Sequence, residues 1–183
     1  MKIILASASP RRRELLKEIF HDYTVEIPVC DEKASGSPDE YVSSIAIQKA
    51  KAIQTTADII ISADTIVVFD DKILGKPKDE QDAIKMLNCL SGKKHYVYTG
   101  VCIKHLINNE YSYEVFYDKS SVFMRKLSQK QIHDYVKTGS PLDKAGSYGI
   151  QDGVVEKYIG SYSNIVGLPV EKLKQKLIDL NLI

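Results

Sequence analysis

The feature that most restricts the fold is a pair of long period-two segments, Tyr96 to His105 and Tyr111 to Met124, separated by Asn108-Asn109. Alternating side chains suit strands with two unlike faces, and asparagines tolerate the positive φ of a tight turn, so the two segments are expected to form a long hairpin. Around it, short apolar runs alternate with capped helices. Ile3 to Ala6 reads as a strand that turns at Ser7 to Pro10 into a helix through about Phe20, with Ser9 as N-cap and Pro10 in the first turn. Tyr23 to Pro28 reads as a strand. Ser37 and Glu40, with Pro38 between them, form a capping box that opens the next helix. Ile59 to Ala63 reads as an apolar strand ending at Asp64 and Thr65, with Ile66 to Phe69 as a second run into an Asp70-Asp71 turn. Asp79 caps a helix stopped by Gly92, Ser128 and Gln131 cap another that ends near Gly139, and a last helix starts at Pro169. Leu142 to Gly153, polar and glycine-bearing, reads as a loop.

Composition sets the scale and removes several classes. With 183 residues, 44% of them hydrophobic, and neither repeat nor linker, the chain is expected to form one globular domain spanning 1–183. Its 25 Lys+Arg and 24 Asp+Glu leave a net charge of +1, which provides no broad field for nucleic acid or an anionic membrane. No run approaches the roughly 20 apolar residues of a bilayer span. Cys30, Cys89 and Cys102 are odd in number and form no C-x-x-C pair, which fits a reducing cytoplasm better than a disulfide scaffold or a zinc site.

Four local features fit a bland fold poorly. Ser7-Ala8-Ser9-Pro10-Arg11-Arg12 places cations at a helix start, where they oppose the dipole by ~0.3–1 kcal/mol unless an anion sits between them and the helix end. That segment is either an exposed arginine run or a phosphate cradle. Lys49 falls within the apolar stripe of Val42, Ile45, Ala46, Ala50 and Ile53, so it either snorkels to the edge or meets a fixed negative partner. Asp64 at a strand end is either an Asx turn with Thr65 or a rigid, reachable carboxylate, and Asp31 and Glu32 in an acidic loop share that ambiguity. Gly75-Lys76-Pro77 offers a loop lysine beside a permissive glycine, without the pattern of a Walker loop.

Together these segments resemble the Maf family of nucleoside triphosphate pyrophosphatases, over nearly the whole chain from Leu5 to Pro169. The matching motifs are Leu5-Ala6-Ser7-Ala8-Ser9-Pro10-Arg11-Arg12, Asp31-Glu32, Lys49-Ala50, Ala63-Asp64-Thr65, Gly75-Lys76-Pro77, Tyr98-Thr99-Gly100-Val101, Asp143-Lys144-Ala145-Gly146-Ser147-Tyr148-Gly149-Ile150-Gln151 and Gly160-Ser161-Tyr162-Ser163-Asn164. The resemblance implies an α/β fold similar to inosine triphosphate pyrophosphatases, an elongated mixed sheet flanked by helices with a deep cleft between two lobes, and a possible homodimer. Gly149-Ile150-Gln151 resembles the branch acting on dTTP and UTP.

The resemblance further implies hydrolysis of a nucleoside triphosphate to the monophosphate and pyrophosphate. Ser7, Ser9, Arg11, Arg12, Lys49 and Lys76 would hold the phosphates, Glu32 and Asp64 would bind Mg²⁺ or Mn²⁺, and Asp64 would also accept the proton of the attacking water. Arg11, Thr65 and Gln151 would select the base, the Gln151 carboxamide suiting the O4 and N3–H edge that thymine and uracil share. Two rivals stand beside this reading. A nucleotide-binding regulator of septum formation would bind without turnover. A phosphomonoesterase would need a D-x-D pair, which Asp64-Thr65-Ile66 does not supply.

Overall fold

The computed structural model describes residues 1–183. Strand β1 (Ile3–Ala6) is flanked by β2 (Thr24–Glu26) and β3 (Ile59–Phe69), both parallel to it. The expected hairpin is present as β5 (Lys94–Ile107) and β6 (Glu110–Met124), with Ile107 opposite Glu110 and Asn108 and Asn109 at φ 50° and 67°. Two successive positive φ values make the twist of such a turn match that of the strands. Asp70 and Asp71, at φ 50° and 58°, do the same at the end of β3 and return the chain as β4 (Lys72–Leu74). With β7 (Val155–Ile159) these form one seven-stranded mixed sheet of order β2-β1-β3-β5-β6-β7, with β4 beside the far end of β3.

Six α-helices flank the sheet: α1 (Pro10–Leu16), α2 (Pro38–Ala52), α3 (Glu80–Leu90), α4 (Gln129–Lys137), α5 (Tyr162–Val166) and α6 (Val170–Asp179). Beneath α1 and α6, Ile59, Ile61 and Ala63 of β3 pack with Leu16, Leu173 and Leu177 in one core. Beyond Thr65 the same strand face enters a second core, where Val67 meets Leu87 and Leu90 of α3 and Ile132 and Val136 of α4. The opposite face, carrying Ile60, Ser62, Asp64, Ile66 and Val68, lies toward α2. Strand β3 therefore runs through both lobes, as do β5 and β6, and its polar residues Asp64 and Thr65 mark the waist between their cores.

Several sequence expectations change. Asp64 and Thr65 do not end a strand, because β3 runs through them to Phe69 with Asp64 opposite Gly100 and Thr65 opposite Thr99 of β5. What ends near Asp64 is β1, whose last pair is Ala6 with Ser62, so β3 loses its parallel neighbour there and that flank becomes a cleft. Helix α1 stops at Leu16 rather than Phe20, but a further turn, with Phe20 N–H donating to the Leu16 carbonyl at 2.9 Å, still delivers Phe20 to the core. The segment 142–153 is not plain loop but contains 3-10 turns at Ser140–Asp143, Ala145–Ser147 and Ile150–Asp152. Strands β4 and β7 and helix α5 are too short, or too one-sided in burial, to leave a periodic signature.

Candidate active site

The first wall of the cleft is the turn from β1 into α1. Ser9 caps α1, its Oγ accepting from Arg12 N–H at 3.4 Å, and Ser7 Oγ accepts from Ser9 N–H at 3.2 Å. The two arginines then diverge. Arg11 crosses to the far side of the cleft, where Nη1 donates to Asp143 Oδ2 at 2.9 Å and Nη2 to the Asp143 carbonyl at 3.3 Å. Arg12 turns inward, donating from Nε to the Gly167 carbonyl at 2.7 Å, from Nη2 to Thr65 Oγ1 at 2.9 Å and from Nη1 to Ser7 Oγ at 3.4 Å. Burial pulls its guanidinium below the ordinary arginine value, and Asp64 opposes that pull.

This network fixes a proton direction. Thr99 Oγ1 donates its only hydrogen to the Asn164 carbonyl at 2.9 Å, so in its 2.9 Å contact with Thr65 it accepts. Thr65 therefore donates to Thr99, accepts from Arg12 and faces the cleft with lone-pair capacity alone. Its orientation is set by Thr99 of β5 and Arg12 of α1, not by its own strand.

The second wall is α2. Lys49 does not snorkel: its side chain is 11% exposed, and Nζ lies 2.8 Å from Asp64 Oδ1 and 3.2 Å from Glu32 Oε2. The partner is thus a pair of carboxylates from within the chain. Helical side chains lean toward the N-terminus, which lets Lys49, near the C-terminal end of α2, reach back to the strand beneath. Gly100, opposite Asp64, permits that helix to lie so close, since a Cβ there would fall 2.5 Å from the Val42 carbonyl carbon and oxygen. Of the acidic loop only Glu32 enters the site. Asp31 is exposed and pairs with Lys33 at 3.3 Å.

The third wall is the segment from Asp143 to Asp152 with the loop at Gly75. Gly146 N–H donates to the Gly75 carbonyl at 3.0 Å, docking the two together. Buried Tyr148 meets His95 through Oη and Nε2 at 2.7 Å. Burial holds His95 down at about 4, so the ring is neutral at pH 7, and raises the Tyr148 phenol. Lys76 and Gln151 are exposed along the cleft, and neither makes a hydrogen bond or ion pair within the protein.

The cleft measures about 820 Å³, and Ser7, Ser9, Arg11, Arg12, Glu32, Lys49, Asp64, Thr65, Lys76 and Gln151 all border it. A nucleotide-sized ligand fits such a volume. Sequence reasoning gave no role to Asp143, Lys144 or Tyr148, which also line it. The stretch Asp143 to Tyr148 was conspicuous as a motif, but its contacts with Arg11 and His95 span long sequence separations. Nowhere do three His, Cys, Asp or Glu side chains gather as a ready metal cage. Glu32 and Asp64 nevertheless converge on one cation, Lys49, and two carboxylates with water and phosphate oxygens suit a hard divalent ion. No helix is long and apolar enough to cross a membrane.

Comparison with known proteins gives the family of the chain. The family model described as Maf-like protein matches residues 2–180. A dTTP/UTP pyrophosphatase of Clostridium beijerinckii is 46% identical over 189 residues, covering 98% of this chain and 100% of that protein. One from Caldanaerobacter subterraneus subsp. tengcongensis is 46% identical over 180 residues, covering 94% of this chain and 86% of that protein. In fold, the Staphylococcus aureus Ham1 protein superposes with a TM-score of 0.56 at 19% identity, covering 98% of this chain and 100% of that one. With the motifs of the cleft, a family match across nearly the full length and relatives at this identity, the chain belongs to the Maf family.

Proposed function

We propose that this protein is a nucleoside triphosphate pyrophosphatase that hydrolyses dTTP and UTP to the nucleoside monophosphate and pyrophosphate. The observation that carries the reading is the arrangement inside one cleft. An aspartate and a glutamate share a buried lysine at one end, an unpaired lysine stands on the rim, and an unpaired carboxamide lines the segment opposite. Relatives at 46% identity bear the name dTTP/UTP pyrophosphatase, which supports the same chemistry here.

In this mechanism the triphosphate lies against the Ser7 to Arg12 turn, with Lys49 and Lys76 neutralising its charge. Asp64 accepts a proton from the water that attacks the α-phosphorus. The α–β anhydride bond breaks, and pyrophosphate leaves. Glu32 and Asp64 would hold Mg²⁺ or Mn²⁺, which when bound neutralises phosphate charge and polarises its oxygens. Lys49 must then shift its ammonium from the carboxylates toward phosphate. Arg12, with three donors committed to the framework, orients Thr65 and Ser7, whereas Arg11 is the more accessible arginine at the mouth. We place the enzyme in the cytoplasm, where its free cysteines stay reduced, and allow for a homodimer.

The test is an assay of purified protein with Mg²⁺ or Mn²⁺ against dTTP, UTP, CTP, GTP, 7-methyl-GTP and dATP, separating pyrophosphate from orthophosphate. Pyrophosphate from dTTP and UTP is expected. Orthophosphate as the first product would overturn the reaction, and saturable binding without turnover would favour a regulator. Gln151→Ala is expected to lower the UTP-over-CTP preference in kcat/KM by about 10-fold or more, because a site built to pair with a specific hydrogen-bonding edge discriminates strongly. An unchanged preference would remove Gln151 from base recognition.

A further inference from the structure

Gln151 sits in a short turn, Gly149 to Asp152, that cannot hold itself. Its backbone closes with only one internal bond, Asp152 N–H to the Gly149 carbonyl at 3.1 Å, and Gly153 beyond it is left-handed at φ 81°. Both ends of the turn instead meet one side chain from α4. The Tyr135 hydroxyl donates to Asp152 Oδ2 at 2.5 Å and accepts from Gly149 N–H at 3.1 Å. Ser140 Oγ donates to the same carboxylate oxygen at 2.9 Å, and Lys144 donates to the Ser140 carbonyl, to Ser140 Oγ at 3.1 Å and to Asp143 Oδ1 at 2.8 Å. Asp143 in turn accepts from Arg11. Tyr135 thus uses its one hydrogen on Asp152 and a lone pair on Gly149, clamping the two residues that bracket Ile150 and Gln151. Burial, and then the bond to Asp152, raise its phenol, so it stays a donor throughout the working pH range.

We propose that Tyr135, with Asp152 as its partner, is the positioning residue that sets base specificity, by holding the Gly149 to Asp152 turn so that the Gln151 carboxamide meets a pyrimidine edge. This deepens the reading of Gln151 given above and rests on it. The turn makes no hydrogen bond to Asp64, where the proton is taken, so loosening it weakens recognition of the base more than the hydrolytic step. Tyr135 does not touch the base; it acts through Gln151. Its ring packs beside the α3 and α4 core, so removing the hydroxyl alone separates positioning from packing.

The test compares Tyr135→Phe, Asp152→Ala, Asp152→Asn and Gln151→Ala in steady-state kinetics with UTP and CTP and in thermal melts. Loss of the hydroxyl, and with it the bonds to the Asp152 carboxylate and from Gly149 N–H, predicts a fall of about 3–10-fold in the UTP-over-CTP ratio of kcat/KM for Tyr135→Phe. The loss should fall on KM for UTP more than on kcat. Asp152→Ala should follow it, and Asp152→Asn, which keeps an acceptor oxygen for both hydroxyls, should recover most of the preference. A wild-type ratio in both Tyr135→Phe and Asp152→Ala, while Gln151→Ala loses preference, would overturn the clamp. If Gln151→Ala itself keeps the preference, the base-reading role fails first and the clamp with it. Should Tyr135→Phe fail to fold, the contrast between the two Asp152 variants decides.

Discussion

Asp64→Asn is expected to lower turnover of dTTP and UTP by 10²–10⁴-fold, the usual contribution of a positioned general base, with the melting temperature nearly unchanged. Asparagine keeps the shape of the side chain and an oxygen for Lys49 Nζ, now 2.8 Å away, but it cannot take a proton from water. The fold should survive because Glu32 remains within 3.2 Å of the same ammonium, so the buried charge is not stranded. Turnover and melting curves on the same preparation are the measurement. Wild-type turnover with a normal melt would remove Asp64 from the chemistry, whereas loss of both would show that its role is structural.

Gly100→Ala is expected to destabilise strongly, against the usual direction, since replacing a strand glycine by alanine ordinarily helps by roughly 0.5–1 kcal/mol. Here the new Cβ would lie 2.5 Å from the Val42 carbonyl carbon and oxygen and 2.7 Å from Ser43 N. These are backbone atoms of α2 and cannot rotate away, so the helix must lift from the sheet. Overpacking against such a partner costs about 3 kcal/mol, the upper part of the common range. That cost corresponds to a fall of ~6–12 °C in Tm for a chain of this size. Since α2 also carries Lys49, turnover should fall with it. Gly75→Ala is the control: its Cβ would meet nothing within 4 Å, so its melt should match wild type. Equal melting of the two variants would show that the α2 contact with the sheet is not close in solution.

The two glycines show how far the sequence can be read. Nothing local distinguishes Gly100 in a strand from Gly75 in a loop by importance; the first matters because a helix more than 50 residues earlier in the chain crosses it. Local chemistry did announce the caps at Ser9, Asp79 and Ser128, whose side chains accept from nearby backbone N–H groups. It also announced the Asn108-Asn109 turn, where positive φ is needed at two adjacent residues. The apolar stripe of α2 was equally plain, and so was the oddity of Lys49 within it. The direction Lys49 takes was not, because the choice between solvent and a carboxylate depends on Glu32 and Asp64, which reach it from a loop and a strand.

Asp64 and Thr65 make the same division sharper. Their polarity interrupts an apolar pattern and reads as a strand end, yet the ladder to β5 continues through both. Hydrogen bonds from a neighbouring strand keep the backbone extended where side-chain pattern alone would stop it. By itself the sequence determined the longer helices, the hairpin and the family motifs, because each rests on residue type and short-range spacing, and the resemblance carried by those motifs pointed to ten residues that border the cleft. Only the tertiary structure decided that β3 outruns β1 to open the cleft, that Arg12 braces Thr65 while Arg11 reaches Asp143, and that Tyr135 grips the turn bearing Gln151. Those are contacts between residues distant in the chain, and their partners are chosen by how the elements pack, which no local pattern encodes.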